Sequence, residues 1–220
     1  MALPLQRTLG ELRSDIQVRL GFGMAGQSGV VNAPLIDSML RSAQNQLYEQ
    51  FDWSELRKVE TRLTGQNQQF YDYPADCNVA RMTGLFINWS GQFHELHEGI
   101  ETLNRQLPAS TIPLRYERRD QIELWPVPQA QYTFRIEYIK TLGSFVANSD
   151  RCTLPDEIVY LHALTNAKAH YRQPDSKEYA SQLEAMMVRI KARQRGNKTY
   201  TRQRSERSPY EYAPDSSQMV

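Results

Sequence analysis

Two histidines close together in the sequence are the first residues whose types could bind a metal. His94 and His97 enclose a Glu-Leu pair, so the segment is one residue shorter than the HExxH motif of zinc proteases. Metal binding through that motif needs both imidazoles on one helix face, at i and i+4. We predict a strand here, where positions i and i+3 point to opposite faces. His162 and His170 are too far apart on a predicted helix to chelate one ion directly. We therefore assign no metal ligand.

A glycine-rich segment at residues 21–26 matches the G-x-G-x-x-G pattern of dinucleotide-binding turns. That pattern binds pyrophosphate only where a strand precedes it and a helix follows directly. Here a predicted helix precedes it, and the next helix begins well after the last glycine. We interpret the segment as a loop between helices and predict no cofactor. The sequence also lacks a nucleophile elbow, a Walker loop and an EF-hand loop, so we assign no catalytic residue and expect a protein that is not an enzyme.

The C-terminal segment carries the residues best suited to contact a partner. Between positions 187 and 207 there are eight basic residues and a single acidic one, with tyrosines interleaved or following. Arginine binds phosphates or forms forked ion pairs with carboxylates, and tyrosine adds rigid aromatic area. Three readings stay open from composition: a small nucleic-acid-binding protein acting through this tail, docking on a partner protein, or a solvated tail. The candidate partner-binding residues are Tyr200, Arg202, Arg204, Arg207, Tyr210 and Tyr212.

The composition suits a soluble protein of one or two domains. The chain has 220 residues, and its 26 Lys and Arg nearly balance its 25 Asp and Glu, which gives no overall attraction to nucleic acid or anionic lipid. Its apolar runs are far shorter than the ~20 residues that a membrane span needs. Cys77 and Cys152 are the only cysteines, and the first residues lack the features of a signal peptide. We therefore expect a protein from a reducing compartment with no membrane partner.

Apolar residues at helical spacing predict two helices at each end of the chain. Thr8 and Glu11 fit a capping box, and Pro34 suits the first turn of the second helix. Pro155 precedes acidic residues that favour the start of a third helix, because the helix dipole attracts negative charge there. A break at Pro174 separates the third helix from the fourth. If the four form one bundle, its core contains Leu12, Ile16, Leu40, Leu47, Leu183 and Met187.

Between residues 54 and 145 the pattern is that of short antiparallel strands. Residues 131–140 alternate most clearly, and Phe134, Ile136 and Tyr138 lie on the side that we expect to be buried. Short turn sequences predict three hairpins, which pair residues 56–63 with 69–72, 82–89 with 92–97, and 114–118 with 121–125.

Together these elements predict an α+β protein. We expect a four-helix bundle formed from both chain ends, an inserted antiparallel β domain and an extended C-terminal arm. The predicted boundaries are 1–53 and 149–195 for the two halves of the bundle, 54–148 for the β domain and 196–220 for the arm.

The order of several motifs resembles the head-to-tail adaptor, or connector, proteins of short-tailed bacteriophages, of the tail tubular protein A type. The likeness covers most of residues 5–195, and its specificity lies in the order of the motifs. The matching segments are 35–40, 50–53, 69–76, 81–82, 122–126, 134–138 and the Leu154-Pro155-Asp156-Glu157 start of an Ala-rich helix.

This resemblance implies a structural protein of the virion, found at the junction of head and tail and assembled in the bacterial host cytoplasm. It implies a ring of twelve copies that joins the portal protein to a tail nozzle or tail tube protein. DNA would pass through the ring as cargo. The resemblance supplies no catalytic residues. We expect residues 196–220 to dock on the portal or on a neighbouring subunit.

Overall fold

The computed structural model describes residues 6–22, 32–100 and 112–195. Within these ranges the chain is α+β, with helices at both ends and strands between them, as the sequence predicts. They contain four α-helices, named α1 (Leu9–Arg19), α2 (Ala33–Gln50), α3 (Asp156–His170) and α4 (Ser176–Arg195). A short 3-10 helix at Ser54–Leu56 leads from α2 into the strands.

Helix α1 begins with the predicted capping box. The Thr8 N–H donates to a Glu11 carboxylate oxygen at 2.7 Å, and the Glu11 N–H donates to the Thr8 hydroxyl at 3.3 Å. Pro34 lies in the first turn of α2, where its missing N–H costs no intrahelical hydrogen bond. Pro155 immediately precedes α3 and its acidic first turn. These starts are set by adjacent residues, which is why the sequence locates them.

Arg7 ties the segment before α1 to the start of α3. Its guanidinium donates to Asp156 at 2.5 Å and to Glu157 at 2.7 Å, and lies 5.1 Å from the ring centroid of Tyr160. It also donates to Asp15 of α1 at 2.9 Å. The segment before α1 and the start of α3 are therefore joined by a charged contact beside the apolar cluster of the helices.

The helices share one apolar cluster drawn from both ends of the chain. Four of the six predicted core residues are buried in it, namely Leu12, Ile16, Leu40 and Leu47. The other two, Leu183 and Met187 of α4, are partly buried and pack against the same cluster. Helix α4 is thus packed less deeply than the other three.

The described ranges contain eight strands in two four-stranded sheets. The first sheet has the order β1-β8-β3-β4 and the second has the order β2-β7-β6-β5. The strands are β1 (Arg57–Leu63), β2 (Phe70–Tyr71), β3 (Cys77–Trp89), β4 (Gln92–Glu95), β5 (His97–Glu98), β6 (Arg115–Arg118), β7 (Ile122–Trp125) and β8 (Thr133–Lys140).

Two of the predicted hairpins are confirmed. Strands β3 and β4 pair antiparallel across Ser90 and Gly91, whose φ angles of 53° and 81° suit a tight two-residue turn. Strands β6 and β7 also pair antiparallel. In β8, Phe134, Ile136 and Tyr138 are buried as predicted, and they join a second apolar cluster between the sheets.

The first predicted hairpin is wrong, because β1 and β2 belong to different sheets. Strand β1 pairs along its whole length with β8, whereas β2 pairs with β7. After β1, the Thr64 N–H donates to the Tyr132 carbonyl at 2.8 Å and the Asn67 N–H donates to the Pro128 carbonyl at 2.7 Å. The long alternating strand β8 offers β1 seven pairs, which a two-residue partner cannot match.

The second hairpin is shorter than predicted. Strand β4 ends at Glu95, and His97 belongs to β5 in the other sheet, where it pairs parallel to β6. The crossing occurs at Leu96, which is buried between the sheets. Its N–H still donates to Leu85 of β3 at 2.8 Å. One parallel pair therefore stands among antiparallel ones in the described sheets.

Candidate interaction surfaces

The six residues predicted to contact a partner lie outside the described residues, which end at position 195. These are Tyr200, Arg202, Arg204, Arg207, Tyr210 and Tyr212. Most of the glycine motif, residues 23–26, also lies outside them. The surfaces that the structure does describe come from the helices and the two sheets.

The junction between helices and strands centres on Arg81 of β3. Its guanidinium donates to the carbonyl oxygens of Tyr48 at 2.6 Å and Phe51 at 2.9 Å, where helix α2 leaves carbonyls without helical partners. It also pairs with Asp52 at 2.5 Å and lies 4.6 Å from the centroid of the Tyr48 ring. One side chain of the first sheet therefore holds the end of α2.

Other polar contacts fix the same junction. The Tyr48 hydroxyl donates to the Lys140 carbonyl at 3.1 Å and accepts from the Asn78 amide at 2.8 Å. The fully buried Trp53 donates its indole N–H to the Leu47 carbonyl at 3.0 Å. The helical part is thus held to β3 and β8 in one orientation. Sequence reasoning noticed residues 81–82 only as part of a resemblance and did not predict this role.

His94 and His97 line one cleft, although they belong to different sheets. The cleft has a volume of about 450 Å³, and its walls include Trp89, Leu114 and Arg115. The Trp89 and Leu114 side chains are about half exposed there. In the described ranges no group of three or more His, Cys, Asp or Glu side chains could hold a metal ion. The cleft offers an apolar wall with polar edges rather than a ligand cage.

Both cysteines are buried, and burial disfavours their thiolate forms. Burial raises the pKa of the Cys77 thiol to about 11 and that of Cys152 to about 12. The Cys152 thiol lies 3.0 Å from the Gln44 amide oxygen, to which it donates. Both thiols are therefore protonated at neutral pH, and neither is suited to act as a nucleophile.

The outward face of the first sheet carries apolar groups around one arginine. The Arg135 guanidinium lies 4.7 Å from the Phe86 ring centroid and 4.6 Å from that of Phe93. Val59 and Leu63 lie on the same face by register and are more than half exposed. Stacking of arginine on aromatic rings is common at protein interfaces, so this face is one candidate contact surface.

Helix α4 presents the other candidate surface. Its apolar residues Tyr179, Leu183, Met186, Met187 and Ile190 are only partly buried against the helical cluster. Val188, on its outward side, is 66% exposed. From position 185 onward the charged residues of α4 are all basic. The last turns of this helix therefore combine incomplete apolar packing with positive charge.

The comparisons with known proteins identify the family. The family model described as SU10 adaptor protein matches residues 7–208, which is most of the chain. The chain therefore belongs to the SU10 adaptor protein family. This agrees with the resemblance to phage head-to-tail adaptors that the order of motifs indicates. A search of curated proteins gives no match.

Family membership makes the chain a phage adaptor with a structural role in the virion. An adaptor family implies a protein that works by contacting other head or tail components rather than by catalysis. Among the described helices, none has both the length and the apolar character needed to cross a membrane.

Proposed function

We propose that this chain forms a ring of twelve copies between the portal and the tail of a bacteriophage, and that DNA passes through its axial channel. The match to the adaptor family over residues 7–208 is the observation that carries the proposal. The ring and its copy number follow from the resemblance to the adaptors of short-tailed bacteriophages. The near-neutral charge of the chain suits a channel wall along which DNA slides.

The protomer is proposed to consist of a four-helix bundle with an inserted β domain. Residues 1–53 and 149–195 supply the bundle, and residues 54–148 supply the insertion. Two observations support this division: all four helices contact one apolar cluster, and the strands enclose a second. The Arg81 contact then sets the orientation of the β domain relative to the bundle.

Residues 196–220 are proposed to be an arm that docks on the portal and on a neighbouring adaptor subunit. Arginines at 202, 204 and 207 suit forked ion pairs with carboxylates of the partner. Tyrosines at 200, 210 and 212 add aromatic area at small entropic cost. The ring would carry the tail nozzle or tail tube on its other side, and assembly would take place in the host cytoplasm.

The proposal is tested by mixing the full-length chain with portal rings of the same phage. Size-exclusion chromatography of the mixture should yield one complex that contains both proteins, and electron microscopy should show an adaptor ring on one end of the portal. Portal and chain that elute separately at all mixing ratios would contradict the proposal. The same chain without portal serves as the control for self-association.

A further inference from the structure

The last turns of helix α4 leave a surface that the protomer itself does not cover. Helix α4 packs mainly against α3. Its apolar stripe is partly open, and Val188 is 66% exposed. Ser181, Ala185 and Ala192 are exposed on the same outward side, in a row with Val188 at successive spacings of three and four. Short side chains of this kind permit another helix to approach closely.

The charge on this surface has one sign. Arg189 and Arg193 are exposed and Lys191 is partly exposed, and no acidic residue follows Glu184 in α4. A helix that packs here must therefore bring negative or neutral groups. A second α4 in the same place would oppose one row of basic residues with another.

Helix α2 offers a complementary surface. Its outward residues Ser38, Ser42, Asn45 and Glu49 are exposed, with short or polar side chains along most of the face. The only charge in this row is that of Glu49, in the last turn. Asp52, which is paired with Arg81, and Glu55 follow within five residues of the helix end. The α2 face is therefore neutral along its length and acidic at its end.

The acidic end of α2 and the basic end of α4 lie at the same end of the helical part. Helix α4 follows α3 after a short turn and packs along it, so α4 runs back along α3. Because α4 has 20 residues and α3 has 15, the last turns of α4 reach the level of the first turns of α3. The Gln44 amide oxygen of α2 accepts from the Thr153 N–H just before α3 begins. Glu49, five residues further along α2, lies towards this end as well.

We propose that α4 of one copy docks on the exposed face of α2 in the next copy, with Arg189 and Arg193 facing Glu49. This inference rests on the proposed ring and names the surfaces that would build it. Because the two faces differ, the contact is heterologous, and its repetition around an axis closes a ring when the rotation between copies divides a full turn.

The test uses charge reversal in the full-length chain. Variant A carries Glu49→Lys, and variant B carries Arg189→Glu and Arg193→Glu. Each variant alone should need at least about tenfold more protein for half-maximal ring assembly, measured by native mass spectrometry or sedimentation in the presence of portal. Circular dichroism should show unchanged folding, because all three residues are exposed.

An equal mixture of A and B should restore rings. In the mixture, the acidic α4 of B can face the substituted, basic α2 end of A, and the basic α4 of A can face Glu49 of B. Native mass spectrometry should therefore find rings that contain the two variants in equal numbers. A control variant, Asp120→Lys in the exposed turn between β6 and β7, changes the charge by the same amount away from both faces and should assemble as the wild type does.

The outcomes separate this contact from the ring itself. If variants A and B each form rings as readily as the wild-type chain does, the α4–α2 contact is wrong and the ring proposal stands. Impaired A and B that stay impaired when mixed would also overturn it. A wild-type chain that forms no ring with portal would reject the proposed function, and this contact with it.

Discussion

Arg81 and Tyr48 join the two parts of the protein through one side chain. The Arg81 guanidinium donates to the Tyr48 carbonyl at 2.6 Å and stacks 4.6 Å from the centroid of the Tyr48 ring. It thereby satisfies carbonyl groups at the end of α2 and fixes the first sheet against the helices. In the proposed ring, this fixed orientation would let the helices and the strands of one copy contact neighbouring copies at the same time.

Arg81→Lys should destabilise the protomer by about 1–3 kcal/mol, because lysine keeps the charge but cannot reproduce the fork or the stacking. The measurement is the free energy of unfolding from urea titration. Arg119→Lys is the matched control, since the Arg119 side chain is 58% exposed and lysine keeps its charge beside Glu117 and Glu123, so a change below about 0.5 kcal/mol is expected. Equal stability of wild type and Arg81→Lys would show that the junction is held by other contacts.

Truncating apolar side chains of the helical cluster to alanine should lower the free energy of unfolding by an amount that depends on how deeply each side chain is buried. Leu40→Ala should cost about 2–5 kcal/mol, because Leu40 is fully buried. Leu183→Ala should cost less, since Leu183 only packs on the edge of the cluster. Val188→Ala should change the unfolding free energy by less than about 0.5 kcal/mol, because Val188 is exposed. A Leu183 effect as large as that of Leu40 would contradict the partial burial of α4 against the cluster.

The Asp150 carboxylate should make the free energy of unfolding depend on pH. Its carboxylate accepts N–H bonds from Val146 at 2.8 Å and Ala147 at 2.9 Å and a hydroxyl bond from Ser144, and these bonds hold its pKa below the ordinary value. The stabilisation is therefore complete above the ordinary pKa near 3.8 and is lost as the pH falls through the lower, folded-state pKa.

Asp150→Asn should lower the melting temperature at neutral pH, and the difference from wild type should shrink as the pH falls below about 4. The measurement is thermal unfolding of both proteins across an acid pH series. A difference that stays constant down to the lowest pH would show that the carboxylate charge does not contribute.

The helix starts could be predicted from the sequence because each depends on residues within one turn, such as Thr8 with Glu11. The pairing of β1 with β8 could not, because Arg57 and Ile139 are far apart in the chain and a nearer turn suggested another partner. The Arg81 contact was missed for the same reason, since its partners lie about 30 residues earlier. The predicted tail residues remain a prediction.

DNA binding separates an adaptor from a nucleic-acid-binding protein. The free protomer should bind duplex weakly and without sequence preference, because an adaptor channel lets DNA pass. A filter-binding titration at two salt concentrations measures this. Affinity tighter than about 1 µM at physiological salt, falling steeply with added salt and lost on replacing Arg202, Arg204 and Arg207, would favour the nucleic-acid-binding function instead.

Deletion of residues 197–220 tests the proposed arm. The truncated chain should keep the wild-type melting temperature, because the described core ends at α4, yet it should lose attachment to portal rings. Melting temperature and co-elution with portal are the two measurements. Wild-type portal affinity after the deletion would show that the arm is dispensable.

The central claim is that copies of this chain close into a ring at the portal. The most direct measurement is the particle mass of the full-length chain with portal present, by native mass spectrometry supported by electron microscopy. We predict a mass increment of twelve chains per portal ring and a closed ring with an axial channel. A strict monomer, both alone and with portal, would contradict it.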